Sequence, residues 1–294
     1  MSQPSNSGTE TLSSKASLMP GIYMVLRRAG FYISLAYLIF LVLLSISAPW
    51  VAPFSPTMQN PADVLMPTGA PYLLGTDDLG RDVLSRLIWG APLTLYGSVL
   101  AVLVACAIGL PFGLIAGFSG GWIDAAISRT IDTMLSFPAI VLAIGVTGVL
   151  GVGQTNSMIA IGIVFSPTIA RLVRGQTLIG REALYVDAAR CFGASNTRLI
   201  LRHILPNAVQ PVIVQVTLLL ATALLAEASL SFLGLGVQPP QPSWGAMLAR
   251  AYHYMEIAPS QMYAPGIAIL VTALSFNTLG ENLRVILDPT QKRR

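Results

Sequence analysis

The sequence predicts an all-α protein that crosses a membrane six times, and three observations carry that prediction. Of 294 residues, 54% are hydrophobic and only 10% are charged, against about 25% charged in a soluble domain. Mean hydropathy is +0.69, so a water-soluble fold would expose more apolar surface than solvent tolerates. Five long windows hold no charged residue: 29–62, 87–123, 133–170, 203–226 and 257–280. About 20 apolar residues suffice for a spanning helix.

The spans follow in order. Residues 1–20, rich in Ser, Thr, Gly and Pro, read as a short disordered tail. The first apolar run follows Arg27 and Arg28 and ends near Val51, before Pro53 and Pro56. It lacks a convincing cleavage site and reads as an uncleaved helix. The second runs from Leu93 to Phe118 as one span, with a possible kink at Pro111. The third window, 38 residues long, is divided in two by the turn-like stretch 151–156. The last two windows hold one span each. The organisation expected is a tail (1–20), a first helix and outer loop (21–90), a five-helix core (91–284) and a second tail (285–294).

Lys and Arg set the orientation, because they concentrate on the cytoplasmic side. With the N-terminus inside, Lys15, Arg27, Arg28, Arg129, Arg171, Arg174, Arg181, Arg190, Arg198, Arg202, Arg284, Lys292, Arg293 and Arg294 are cytoplasmic. Arg81, Arg86 and Arg250 are outside, a ratio of 14 to 3. Both termini are therefore cytoplasmic. The net charge of +4 is no nucleic-acid signal, since the basic residues lie in loops between apolar runs. Cys106 and Cys191 form no disulfide framework.

Within the inner segment 181–206, residues 181–193 read as a short helix ended by Gly193. Ser195 can cap a second short helix carrying Arg198 and Arg202. This is either a plain positive-inside loop or a rigid knob that docks into a partner. The spacing Asp187-Ala188-Ala189, Gly193, Leu205-Pro206 resembles the Glu-Ala-Ala signature of binding-protein-dependent ABC importer permeases. The register matches throughout, with Asp187 in place of Glu and His203 in place of Ile. The resemblance implies a type I ABC importer permease fold. It also implies that Asp187, Ala188, Ala189, Gly193, Leu205 and Pro206 contact a cytoplasmic ATPase subunit.

Further segments resemble the C-type permeases of dipeptide, oligopeptide and nickel importers. They are Leu74–Arg86, Glu227–Gly236, Pro239–Gly245, Leu279–Arg284 and, more loosely, Val285–Thr290. The resemblance they carry extends over most of residues 27–290. This branch implies a bacterial inner-membrane protein that moves a small substrate inward, with peptides favoured over nickel. Its implied partners are a second related permease, two ABC ATPases and an extracytoplasmic binding protein seated on the outer loops 52–90 and 234–262. The only lysines, Lys15 and Lys292, follow no Gly-x-x-x-x-Gly loop. The chain is thus expected not to be an enzyme and to bind no cofactor, with ATP and Mg left to its partners. No clustered His or Cys spacing suggests a metal.

Other signals weigh less. Gly117-Phe-Ser119-Gly-Gly121 matches G-x-S-x-G, but a turn fits better than a hydrolase elbow without a base nearby. Gly109, Gly113 and Gly117 share one helix face and predict close packing with a helix of this subunit or of another. Asp132, Glu227 and Glu281 lie near span ends and are expected to pair structurally, with substrate contact by Glu227 a weaker reading. Glu227 is expected at the outer surface. A stand-alone secondary transporter would need mid-membrane charges or an inverted repeat, and neither is clear.

Overall fold

The computed structural model describes residues 10–287, with side chains from 29 to 286. Among these the chain is helical, with one isolated bridge between Thr76 and Asp82. Helix α1 spans Glu10–Val51, α2 Val83–Ser119, α3 Gly121–Ser136, α4 Ala139–Leu150 and α5 Gln154–Arg181. Helix α6 spans Leu184–Cys191, α7 Asn196–Arg198, α8 Leu205–Phe232, α9 Trp244–Tyr252 and α10 Ser260–Leu287. Helix α1 begins at Glu10, inside the segment expected to be a disordered tail. Its membrane-length part is Ala29–Val51. Most of the C-terminal tail, 288–294, lies outside the described residues.

Among the described residues, five helices are long and apolar enough to cross a membrane: α1, α2, α5, the run 196–232 and α10. The sixth crossing is not the straight helix expected over the first half of the third window. It is the pair α3–α4, bent by 101° at Phe137-Pro138. Pro138 cannot continue the hydrogen-bond ladder, and it restricts Phe137 to extended backbone (φ −88°, ψ 143°). The pair still carries the chain across. On α3, Asp124 is ion-paired to Arg174 near the inner end of α5. Beyond α4, the Gly153 N–H donates to the Leu235 carbonyl past the outer end of α8 (3.1 Å).

The packing of α2 on α5 organises the core. A Cβ on Gly109 would sit 2.6 Å from Ile169 Cβ, and one on Gly113 2.6 Å from the Ala170 carbonyl oxygen. One on Gly117 would sit 2.6 Å from Thr177 Cβ. Gly162 of α5 reciprocates, with Ala101 O 2.7 Å from its would-be Cβ. The glycine face is therefore filled by a helix of this chain, and four glycines bring two backbones together without hydrophobic driving force from water. Met158, Ile161, Ile169, Val173, Leu199 and Ile204 complete this core. A second apolar cluster joins α1, α2, α8, α9 and α10 through Leu41, Leu224, Trp244, Met247 and Ile269. Tyr37 on α1 and Thr272 on α10 share a 2.9 Å hydrogen bond there. Much of the remaining α1 surface, including Tyr32, Ile33 and Phe40, stays exposed, as suits a lipid-facing helix.

Candidate functional site

The inner segment is a small helix on a rigid stem. Helix α5 ends at Arg181, and α6 then turns at the membrane face. The end of α6 is a Schellman cap. The Ala194 N–H donates to Ala189 O (3.1 Å) and the Gly193 N–H to Arg190 O (3.0 Å), with Gly193 at φ +79°. Any side chain at that angle is strained, although the space around Gly193 is open. Val186 is fully buried and anchors α6, and Asn207 Nδ2 donates to the Tyr185 hydroxyl (3.0 Å).

The second short helix expected here is not separate. Ser195 does cap it, accepting from the Arg198 N–H at 3.4 Å. The chain then passes through a π turn, Leu199–Ile204, directly into α8. Pro206 lacks the N–H an ordinary ladder would use, and the wider turn lies just before it. His203 lies half-buried in that turn, and its carbonyl accepts from Asn207 Nδ2 (2.8 Å).

The structure gathers the residues singled out in this segment on one knob. Asp187, Ala188 and Gly193 are exposed, as is Pro206, while Ala189 and Leu205 are half-buried. Asp187 accepts from Arg190 Nη1 at 3.0 Å. Leu184 and Phe192, outside the signature positions, are 87% and 93% exposed. Their only sequence signal is an apolar character that they share with the buried Val186.

The outer end is built differently. Asp77 accepts from the backbone N–H groups of Leu79 and Arg81 (both 3.0 Å) and from Arg81 Nε (2.7 Å). Arg86 Nε lies 3.4 Å from the same carboxylate, and its Nη1 donates to Pro56 O (2.8 Å). Asp82 caps α2, accepting from the Ser85 N–H (2.8 Å) and hydroxyl (2.6 Å). Arg250 of α9 donates to both oxygens of Asp78 (3.1 Å each), and Gln261 of α10 donates to Thr76 O (2.8 Å). Arg86 was expected in the outer loop; it sits in the first turn of α2, 4% exposed, because Asp82 starts that helix about ten residues earlier than hydropathy alone marks it. The Tyr72 hydroxyl donates to Asp63 (2.8 Å), and this bond to a carboxylate raises the phenol's pKa, so the tie persists above the ordinary phenol range.

Trp244 locks this cap to the helices beneath it. Its indole N–H donates to Leu87 O (2.9 Å), its backbone N–H to Thr94 Oγ1 (3.3 Å), and its ring lies over Gly90. Glu227 is fully buried below, not at the outer surface, and accepts from the Ser231 hydroxyl (2.8 Å). Asp132 pairs with Arg171 at 2.6 Å. Ser119 ends α2 as an exposed residue before the turn at Gly120.

The family model described as "Binding-protein-dependent transport system inner membrane component" matches residues 109–293. A second, "N-terminal TM domain of oligopeptide transport permease C", matches 25–67. A dipeptide transport system permease protein of Haemophilus influenzae is 39% identical, over 96% of this chain and 98% of that protein. One of Alkalihalophilus pseudofirmus is 43% identical, over 85% and 83%. A glutathione transport system permease protein of Pectobacterium atrosepticum is 44% identical, over 75% and 73%. Among solved structures, the MetNI methionine ABC transporter matches with a TM-score of 0.58 at 19% identity, over 69% of this chain and 96% of that one. That likeness supports the fold alone, and it is the type I permease fold. The chain therefore belongs to the family of inner-membrane components of binding-protein-dependent transport systems, as the membrane-spanning permease subunit of an ABC importer.

Proposed function

We propose that this permease passes di- or oligopeptides from an extracytoplasmic binding protein into the cytoplasm, as one half of a pore completed by a second related permease. Two ABC ATPase subunits drive it by docking on the knob formed by α6 and the start of α8. The observation that carries the docking is the bare apolar pair Leu184 and Phe192 on a helix whose stem is buried. Burying one such side chain stabilises an interface by about 1.5–3 kcal/mol. Asp187, Ala188, Ala189, Gly193, Leu205 and Pro206 form the rest of that contact: the alanines permit close approach and the carboxylate offers a partner for a basic group. The knob joins α5 to α8 without a flexible linker, so a rigid-body displacement of the ATPases is passed to the core helices. ATP and Mg belong to the ATPases; this chain acts by moving.

The peptide cargo is supported by the relatives named for dipeptide and glutathione transport. The tied-down outer cap, over residues 52–86 and 233–261, is the seat for the binding protein. The test is uptake in proteoliposomes by the four-subunit assembly with its binding protein. ATP-dependent peptide accumulation that vanishes when the ATPases are omitted is expected. Uptake by the isolated chain without ATPases would instead mark a secondary transporter.

A further inference from the structure

One turn of helix between the knob and the core is wound differently from its neighbours. Asn196–Phe232 runs as one continuous helix of 37 residues. The backbone is helical on both sides of the π turn, at Arg198 (φ −66°, ψ −40°) and at Leu205 (φ −54°, ψ −45°). Within it the Leu205 N–H donates to the Ile200 carbonyl, five residues back rather than four. At about 1.5 Å per residue this helix outreaches the hydrocarbon thickness of about 30 Å, so one end stands clear of it.

The buried residues show what the turn does. Leu199, Ile204, Ala208 and Val212 are 0–4% exposed, at steps of five, four and four. In an α-helix, residues four apart lie about 40° apart around the axis and residues five apart about 140°. An unbroken α ladder would therefore carry Leu199 off the seam that Ile204, Ala208 and Val212 follow. The π turn takes up the extra residue and returns Leu199 to the core that holds Val186 of α6 and Ile204. Ile204 packs on the last turn of α5, where a Cβ on Gly180 would meet its Cγ2 at 3.4 Å. The surplus falls on the outside, where Leu201 is 57% exposed.

Pro206 stands where it keeps this turn open. It has no N–H to give the Arg202 carbonyl, and in an α ladder its ring clashes with that group. Behind the π turn it falls instead in the first turn of α8, where no N–H is needed.

We propose that Pro206 is a positioning residue: by holding the turn Leu199–Ile204 open, it sets the rotational phase between the knob and α8, so that a displacement of the knob reaches the core in a fixed direction. Closing the turn with every residue retained would rotate the knob by about 100° and shift it by about 1.5 Å relative to α8. This role goes beyond the contact proposed for Pro206 above, and it rests on the docking of ATPases at the knob.

The test uses the full assembly in proteoliposomes with peptide-loaded binding protein and reads peptide taken up per ATP hydrolysed. Pro206→Ala restores the N–H and removes the clash, and it is expected to lower that ratio about tenfold while the ATPases still copurify. Deleting Leu201 from the Pro206→Ala chain removes the surplus residue and lets an α ladder return Leu199 to the seam. The ratio is then expected to recover to within about twofold of wild type. A proline that only touched the ATPase would not be rescued by a deletion five residues away. A ratio near wild type in Pro206→Ala would overturn the inference. So would a deletion variant no better than Pro206→Ala, or ATPase binding lost in Pro206→Ala and not regained on deletion. If Pro206→Ala does not fold, the deletion variant decides alone: uptake per ATP near wild type supports the phase role, and its loss overturns it. Wild-type permease that binds no ATPase would contradict the docking reading itself.

Discussion

The two ends of this molecule use charge and apolar surface in opposite ways. The outer cap buries its charges: Arg81, Asp82 and Arg86 are 2–4% exposed, and each is held by hydrogen bonds or ion pairs within the chain. The inner knob exposes Leu184, Phe192 and the Arg190–Asp187 ion pair. A surface finished internally keeps its shape when nothing is bound. A knob carrying bare Phe192 and Leu184 suits the docking proposed for it. The difference accords with a stable outer end and with the assembly role proposed for the inner one.

Substitutions can break that contrast, beginning with the largest effect. Asp77→Ala leaves Arg81 and Arg86 buried without their shared carboxylate, at a cost of about 3–5 kcal/mol. Thermal unfolding in detergent should show a clearly lowered midpoint, whereas ATPase copurification from surviving protein should persist. An unchanged midpoint would show that the cap is not held by this cluster. Phe192→Ser should do the reverse. Its effect on stability should stay within about 0.5 kcal/mol, while ATPase affinity falls tenfold or more, read by titrating ATPase subunits onto the immobilised permease.

The region between the two ends gives the next effect. Gly113→Ala places a methyl against the Ala170 carbonyl, where neither backbone can easily yield. A destabilisation of about 1–3 kcal/mol is expected, with cap and knob both intact by limited proteolysis. Gly193→Ala forces a side chain to adopt φ +79° and should cost about 1–2 kcal/mol in the knob alone, visible as faster local proteolysis around residues 184–195. Smallest is Arg190→Ala, which removes an exposed pair with Asp187. Stability should change by less than about 1 kcal/mol, and a larger loss would show that the knob depends on its own charges.

Much of this was legible in the sequence, for physical reasons. Charge-free windows and the inside excess of Arg mark crossings because the bilayer penalises charge steeply. Gly193 was readable as a helix stop because few other residues enter its conformation. What stayed hidden depends on the third dimension. The bend at Phe137-Pro138 divides a window whose hydropathy is continuous. The early start of α2 is set by the Asp82 cap, a polar signal inside what hydropathy marks as loop. The glycine face of α2 was visible, but its partner on α5 was not, since periodicity names a face and never its neighbour. Leu184 and Phe192 could not be told from core residues, because an apolar residue on a short helix is ordinarily buried, as Val186 is.

Native Cys191 sits at the end of α6 next to Phe192 and is exposed, whereas Cys106 is half-buried within α2. The assembled transporter in membrane vesicles can therefore be treated with a short thiol-to-amine crosslinker without engineering the knob. Docking at the knob predicts a Cys191 adduct with an ABC ATPase subunit and none with the binding protein. A Leu73→Cys substitution on the exposed outer loop should give the opposite pair. Adducts of Cys191 with the binding protein, or a freely reactive Cys191 in a complex that hydrolyses ATP and transports, would contradict docking at the knob.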